Sequence, residues 1–391
     1  MGLRENLAAE LDRYVPPSEA MAGPHGVFRY PAKYLPQIAF ALTRELTREG
    51  EIVLDPFAGS GTTLVEAGRL GRLSVGVDLS PLAVLLARVK TRPIAGDALT
   101  AAAEAALERA RGAREVVLPE FPNRDYWFPV TSVEPLARLR AAIRAEPDEG
   151  LREALLVVFL GVVKECSNAS TYHYKLTRSR EPDPVTGDAI GPRFTKRVRR
   201  AATALDRAAP VAGSACLRAD ASRLPLPEDS VDAIVTHPPY SISFDFVRVF
   251  KIYLWWLCPE RDTVALDRGM TGNQRRHTGE LPRTGLPAVD DLARRIRDRN
   301  VRDGLAVAWF FADMDRTLRE WRRVLRPGGR VGLYMGDSRA RGFLIDAPGN
   351  VSLLAERAGF VPELRLPRRV PRRAASSIRQ IHVEEILVFG G

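Results

Sequence analysis

Ile52-Val53-Leu54-Asp55-Pro56-Phe57-Ala58-Gly59-Ser60-Gly61-Thr62-Thr63 is the stretch on which the reading of the fold turns. Ile52 to Leu54 is a short apolar run of the kind a strand covered on both faces shows. Gly59 and Gly61 then permit a tight turn, and a helix opens near Thr62. A second passage repeats this design: Val231 to Val235 reads as a strand, and Thr236-His237-Pro238-Pro239-Tyr240 leaves it. Two strand ends, one glycine-rich and one proline-rich, are expected to lie on one sheet.

Working outward, residues 1–27 read as a helical or partly ordered lead-in, broken at Gly23-Pro24. A helix carrying Ile38, Leu42 and Leu46 stops at Gly50. After the glycine turn come a helix (Thr62 to Leu70), a strand (Leu73 to Val77) and a helix from Pro81 to Val89. This βαβ alternation signals a parallel sheet covered by helices. From Ala95 to about Pro210 the pattern turns helical, with segments at Leu99 to Arg111, Val133 to Ala145 and Leu151 to Cys166. Thr177 to Arg200 is polar and Arg-rich and reads as an exposed loop. Strands resume at Cys216 to Arg218 and Val231 to Val235, and a second basic stretch covers Arg261 to Arg302. A helix from Trp309 to Leu325 ends at Arg326-Pro327-Gly328-Gly329, before a strand from Val331 to Met335. A helix near Leu353 to Ala358 and strands around Leu364 and Ile386 to Phe389 complete the chain. The expected fold is α/β: one doubly wound, mostly parallel sheet of about seven strands with a helical insertion. Residues 1–94 and 213–391 form its two parts, and 95–212 the insertion, a candidate target-recognition region.

The chain has 391 residues, 45% of them hydrophobic, which suits a globule with an ample core. No run of eighteen apolar residues occurs and the N-terminus is charged, so a cytoplasmic protein without membrane association is expected. Lys plus Arg number 58 against 48 Asp plus Glu, a net charge of +10. Such an excess favours a polyanion such as nucleic acid, although an Arg-rich proteome would give the same balance. The three cysteines, Cys166, Cys216 and Cys258, make neither a metal pattern nor a disulfide framework and read as small buried hydrophobes. No metal is expected.

Gly59 and Gly61 leave room for a ligand to approach the backbone at a helix N-terminus. A lone G-x-G equally suits a dinucleotide, but the third glycine of that fingerprint is absent, since position 64 is Leu. Asp78, followed by Leu79 at the tip of the second strand, is placed to accept from ribose hydroxyls. Asp220 is placed to meet an adenine amino group, with Asp97 as the weaker candidate; Asp78 or Asp220 would alternatively cap the following helix. Pro238 and Pro239 fix φ and remove two backbone donors, leaving carbonyls that can accept from an exocyclic NH2. Tyr240 offers a flat face for an extruded base.

DPFAGSGT with a downstream PPY resembles the S-adenosylmethionine-dependent DNA amino-methyltransferases, which modify cytosine N4 or adenine N6. FRYPAKYLP (Phe28 to Pro36) is similar to that family's N-terminal cofactor segment. GVDLSPLAVLLARVKT, ADASRLPLPEDSVDAIVTHPPY, SFDFVRVFKIYLWWL and RVLRPGGRVGLYMGDSR resemble continuations in its cytosine-N4-like branch. The resemblance implies a Rossmann-like class I methyltransferase with S-adenosylmethionine as cofactor and DNA as partner, and a restriction-modification system with a cognate endonuclease as its setting. Tyr30, Lys33, Asp55, Phe57, Gly59, Gly61, Thr62 and Asp78 would line the cofactor site, and His237, Pro238 and Tyr240 the base site. The family's usual Ser, Asp or Asn is replaced by His237, which leaves the base identity open. A neutral His nitrogen can still accept from the amino group, and with a pKa near ~6.5 it would make activity fall in mild acid. The implied chemistry is direct in-line methyl transfer, in which the protein orients nitrogen against methyl. Cys258 precedes a proline rather than following one, which disfavours methylation of cytosine C5.

Ser167, Asn168 and Lys175, in a polar segment after an apolar helix, are candidate contacts to the target strand, with a capped helix exit as the alternative. Arg193, Lys196, Arg197, Arg199 and Arg200, with Arg275, Arg276 and Arg283, are candidate phosphate contacts, against a merely solvated charge run. Rival functions are an RNA guanine-N2 methyltransferase, for which no RNA-binding domain is evident, and a catalytically silent nucleic-acid binder.

Overall fold

The computed structural model describes residues 2–12, 22–31, 35–170, 176–180, 182, 185–206, 213–242, 245–259, 262–271, 279–369 and 383–391. Nine strands follow one another among them: β1 (Ile52–Asp55), β2 (Leu73–Asp78), β3 (Ser214–Arg218), β4 (Val231–Thr236), β5 (Leu325–Gly336), β6 (Ser338–Ala340), β7 (Phe343–Ile345), β8 (Val361–Arg369) and β9 (Val383–Gly390). Seven form one sheet in the order β3-β2-β1-β4-β5-β9-β8, and β6 pairs with β7 separately. The β2–β3, β1–β2, β1–β4 and β4–β5 pairs are parallel, while β9 runs antiparallel between β5 and β8. The chain order reverses between β1 and β4, which pair directly. Such a reversal opens a crevice at the carboxyl ends of the strands, where ligands bind.

Side-chain parity explains the layering. Successive strand residues point to opposite faces. Val53, Val235, Tyr334, Ile386 and Val388 share a buried cluster with the helices Leu3–Asp12 and Pro36–Leu46. Leu54, Ile234, Leu333, Leu387 and Phe389 face the opposite way, onto Val301–Val324, Pro287–Arg299 and Ala347–Arg357. Helices on both faces make the sheet doubly wound, as expected. Arg326-Pro327-Gly328-Gly329 lies within β5 rather than before it. The β4–β5 register shifts there, with Val231 opposite Leu325 and Ala233 opposite Arg330.

The helical insertion carries Gly96–Gly112, Arg124–Trp127, Val130–Arg144, Glu149–Glu165 and Ile190–Asp206. Its apolar residues join one cluster with the helices Pro81–Thr91 and Phe246–Leu257, and Tyr30 belongs to that cluster. The insertion is therefore anchored on the sheet domain. Two expectations need correction. Thr177 to Arg200 is not all exposed loop: from Ile190 onward it is a helix that buries Ile190, Phe194, Val198, Ala201 and Leu205. This is 3.6-residue periodicity, hidden in the sequence by the arginines between the apolar positions. The basic stretch Arg261 to Arg302 likewise contains Thr263–Gly269 and Pro287–Arg299, the latter burying Val289, Ala293 and Ile296.

Cys166, Cys216 and Cys258 are free and buried. No helix among the described residues is long and apolar enough to cross a membrane.

Candidate active site

The glycine turn and the proline turn open into one cavity of about 240 Å³ at the carboxyl ends of β1 and β4. Tyr30, Phe57, Gly59, Thr62, Asp78, Leu79 and Asp220 line it on one side, and His237, Pro238, Pro239 and Tyr240 on the other. Residues of both motifs thus share a single cleft.

The two acids of the cofactor half have different places. Asp78 faces the cavity, where its carboxylate accepts from the Gly59 N–H at 2.9 Å and the Ser80 N–H at 2.8 Å. These bonds lock the glycine turn onto β2. Burial outweighs them and pushes the Asp78 pKa up to about 6. Asp55, expected to contact the cofactor, lies outside the cavity wall and is 1% exposed. Its carboxylate accepts from Thr236 Oγ1 at 2.6 Å and the Phe57 N–H at 3.1 Å, tying the end of β1 to the end of β4. Its pKa is also raised to about 6, again by burial. The motif aspartate therefore holds the two turns together from below.

The glycines divide in the same way. Gly59 (φ +50°) has room for a Cβ, whose nearest neighbour would be the Tyr30 ring at 3.7 Å. Gly61 (φ +78°) is off the cavity wall, and a Cβ there would stand 2.8 Å from Ala87 Cα. It is required by the close approach of Thr62–Arg69 to Pro81–Thr91, rather than by a ligand. Tyr30, stacked on Phe250 at 4.6 Å, closes the cleft above Gly59. Asp220 is exposed at the rim and accepts from the Ser222 N–H and Oγ at 2.8 Å; Asp97 is exposed at the start of an insertion helix, outside the cavity. Lys33 lies outside the described residues.

The base half is more elaborate than the motif suggested. His237 Nε2 is 2.9 Å from Tyr240 Oη, and Tyr240 Oη donates to Glu384 Oε1 at 3.3 Å. Tyr334 Oη also donates to Glu384, and Arg368 Nη1 donates to Tyr334 Oη at 2.9 Å. Tyr334, Arg368 and Glu384 all line the cavity, and sequence reasoning missed all three. One signal was available: Glu384 has the strand parity of Ile386 and Val388, which face the core, and a carboxylate there demands partners. Burial drives the His237 pKa down to about 3, so the ring is neutral at working pH. The expected loss of activity in mild acid through His237 is accordingly withdrawn.

The proposed nucleic-acid contacts fare unevenly. Asn168 is 7% exposed; its Nδ2 donates to the Tyr126 carbonyl at 3.1 Å and its backbone N–H to that of Trp127 at 2.7 Å. Ser167 Oγ donates to the Lys164 carbonyl at 2.7 Å. Both side chains fasten a helix exit, the alternative role weighed for them. Arg197 is paired at the surface, its Nη2 2.7 Å from Glu165 Oε1. Lys196, Arg199 and Arg200 are exposed on the same helix, beside Arg111 in a shallow groove of about 750 Å³. Lys175, Arg275 and Arg276 lie outside the described residues.

A family model for DNA methylases (N6_N4_Mtase) matches residues 13–88, which include the glycine turn. Type II methyltransferase M.MvaI of Kocuria varians is 26% identical over 338 residues, 78% of this chain and 74% of its own length. Over these residues the chain is similar to DNA amino-methyltransferases. Type II methyltransferase M.MjaII of Methanocaldococcus jannaschii is 42% identical over 66 residues, 17% of this chain and 12% of that one. A solved SAM-dependent methyltransferase of Methanosarcina mazei overlaps 89% of this chain and 96% of its own, at 10% identity and a TM-score of 0.34.

DNA amino-methyltransferases take their methyl group from S-adenosylmethionine, and the cleft suits that cofactor. Ser60 Oγ and Thr62 Oγ1 are buried in its wall without a hydrogen-bond partner among the described residues. Unpaired buried hydroxyls call for a polar ligand. The Asp78 carboxylate would offer an acceptor to ribose hydroxyls, and Tyr30 and Phe57 would wall the cofactor on its apolar sides. Among the described residues no group of three His, Cys, Asp or Glu gathers in a way that would hold a metal ion.

Proposed function

We propose that the protein methylates an exocyclic amino nitrogen of a DNA base, cytosine N4 in preference to adenine N6. The observation that carries this reading is the single cavity shared by Gly59 and Asp78 on one side and His237-Pro238-Pro239-Tyr240 on the other. The bound sulfonium cofactor supplies an activated methyl group. The chain's residues orient and exclude water: Tyr30 and Phe57 wall the cofactor half, Asp78 and the hydroxyls of Ser60 and Thr62 fix it, and Tyr240 provides a face for the flipped base. A neutral His237 and the carbonyls at the proline turn would accept from the amino group and raise the electron density on its nitrogen; as the N–C bond forms the sulfonium C–S bond would break, and the surplus amino proton would pass to solvent. No covalent nucleophile is needed. The preference for cytosine rests on the resemblance of the segments from Ala219 onward to the cytosine-N4-like branch.

In this reading the insertion, residues 95–212, contributes to target recognition. Its exposed cations Lys196, Arg199 and Arg200 contact the phosphate backbone in place of Arg197. The matched relatives are named type II methyltransferases, which supports a restriction-modification setting with a partner endonuclease. Nucleoside analysis after incubation with labelled cofactor tests the reading. N4-methylcytosine is expected from DNA, whereas label confined to guanine in tRNA would replace it with the RNA reading.

A further inference from the structure

A phenol has one proton to donate, and among the groups beside the Tyr240 hydroxyl that could take it are His237 Nε2 at 2.9 Å and Glu384 Oε1 at 3.3 Å. If the proton lay toward His237, the phenol oxygen and the Glu384 carboxylate oxygen would face each other with no hydrogen between them. That arrangement is repulsive in a half-buried site. If it lies toward Glu384, the bond is charge-assisted, and Nε2–H fills the remaining position by donating to Tyr240 Oη. Tyr334 and Arg368 hold Glu384 from the other side, because Arg368 is its register partner on β8 and Tyr334 stands on β5. The carboxylate is thus fixed by three strands of the sheet.

We propose that Glu384 is a positioning residue that acts through the Tyr240 hydroxyl to hold His237 in its Nε2–H tautomer, leaving Nδ1 as the ring's basic nitrogen. The inference rests on the reading of His237 as part of the target-base site and deepens it. The tautomer decides which ring nitrogen can accept, and the family's usual Ser, Asp or Asn at this position would require no such control. Histidine at the motif and a carboxylate at position 384 act as one unit.

Long-range proton–nitrogen NMR of the protein labelled with ¹⁵N-histidine tests this near neutral pH, with His237 assigned from the spectrum of His237→Gln. The wild type is expected to show His237 protonated on Nε2. In Glu384→Ala the Tyr240 proton turns to Nε2, and the ring is expected to change to the Nδ1–H form. Glu384→Gln, whose amide oxygen still accepts from Tyr240, keeps the wild-type form. Methyl transfer should fall more than tenfold in Glu384→Ala and recover partly in Glu384→Gln, with cofactor affinity changed by less than about threefold in either. An Nδ1–H ring in the wild type, or an unchanged tautomer in a folded Glu384→Ala, would overturn the proposal. The wild-type spectrum decides even if the alanine variant does not fold. Absence of base methylation alongside an Nε2–H ring would count against the proposed function and leave the tautomer assignment standing.

Discussion

Asp78 joins two demands that pull in opposite directions with pH. Its folded-state pKa is raised to about 6, as is that of Asp55, so both prefer to be neutral in the folded protein. The stability they contribute is full below the ordinary carboxylate value of about 3.9 and is lost as pH rises through 6. Cofactor binding needs the reverse, an ionised Asp78 to accept from the ribose. Affinity for S-adenosylmethionine should therefore weaken below pH 6, by up to about tenfold per unit for one carboxylate. Asp78→Asn should bind weakly at every pH and show no such slope; calorimetry between pH 5 and 8 checks both. A wild-type affinity flat across that range would contradict the assignment. His237 adds no inflection between pH 5.5 and 8, because burial holds its pKa near 3. Its stability contribution is present above the unfolded value of about 6.5 and is lost as pH falls toward 3, opposing the two acids. The motif positions of His237, Tyr240 and Asp78 were legible because each closes a recognisable strand. Whether Asp55 faced the ligand or the scaffold was not, because both roles place an acid at the end of β1.

At the scale of the element, the glycine turn separates folding from binding. Gly61→Ala would drive a methyl into Ala87 Cα at 2.8 Å and strain a φ of +78°. Overpacking of this kind costs about 1–3 kcal/mol, and a clear drop in Tm is expected. Gly59→Ala meets no atom closer than 3.7 Å and pays only for its left-handed backbone, about 1–2 kcal/mol. Its Cβ would enter the cofactor cleft, so it should lose more affinity than Gly61→Ala does while folding better. Thermal melts and cofactor titrations of the pair check this; equal effects in both assays would sink the distinction. The spacing G-x-G showed a turn but could not apportion the roles, since Ala87 arrives from a helix that starts about twenty residues later. The helix Ile190–Asp206 teaches a similar lesson. Its apolar positions Phe194, Val198, Ala201 and Leu205 were present in the sequence, yet dense arginine and an early Gly-Pro pair suggested a loop.

For the whole molecule, a net charge of +10 says that anions are attracted but not where they bind. The fold neutralises Arg197 by pairing it with Glu165 and leaves Lys196, Arg199 and Arg200 exposed. Replacing these three with alanine should reduce the slope of log affinity against log salt by roughly one unit per lost phosphate contact. Arg197→Ala should leave the slope unchanged. An unaltered slope in the triple variant would remove the groove from the DNA surface. The doubly wound, mostly parallel sheet was accessible from the βαβ rhythm, whereas the network of Tyr334, Arg368 and Glu384 was not, because it joins three strands that meet only in the folded sheet. In the proposed function one cavity brings an activated methyl group to a DNA amino nitrogen. This is tested most directly by transfer of labelled methyl from S-adenosylmethionine to DNA, with the products identified as nucleosides. The wild type should yield N4-methylcytosine, and Asp78→Ala and Tyr240→Ala should yield almost none. Wild-type protein that binds the cofactor yet labels no amino nitrogen in DNA, or variants that label it as well as the wild type does, would contradict the account.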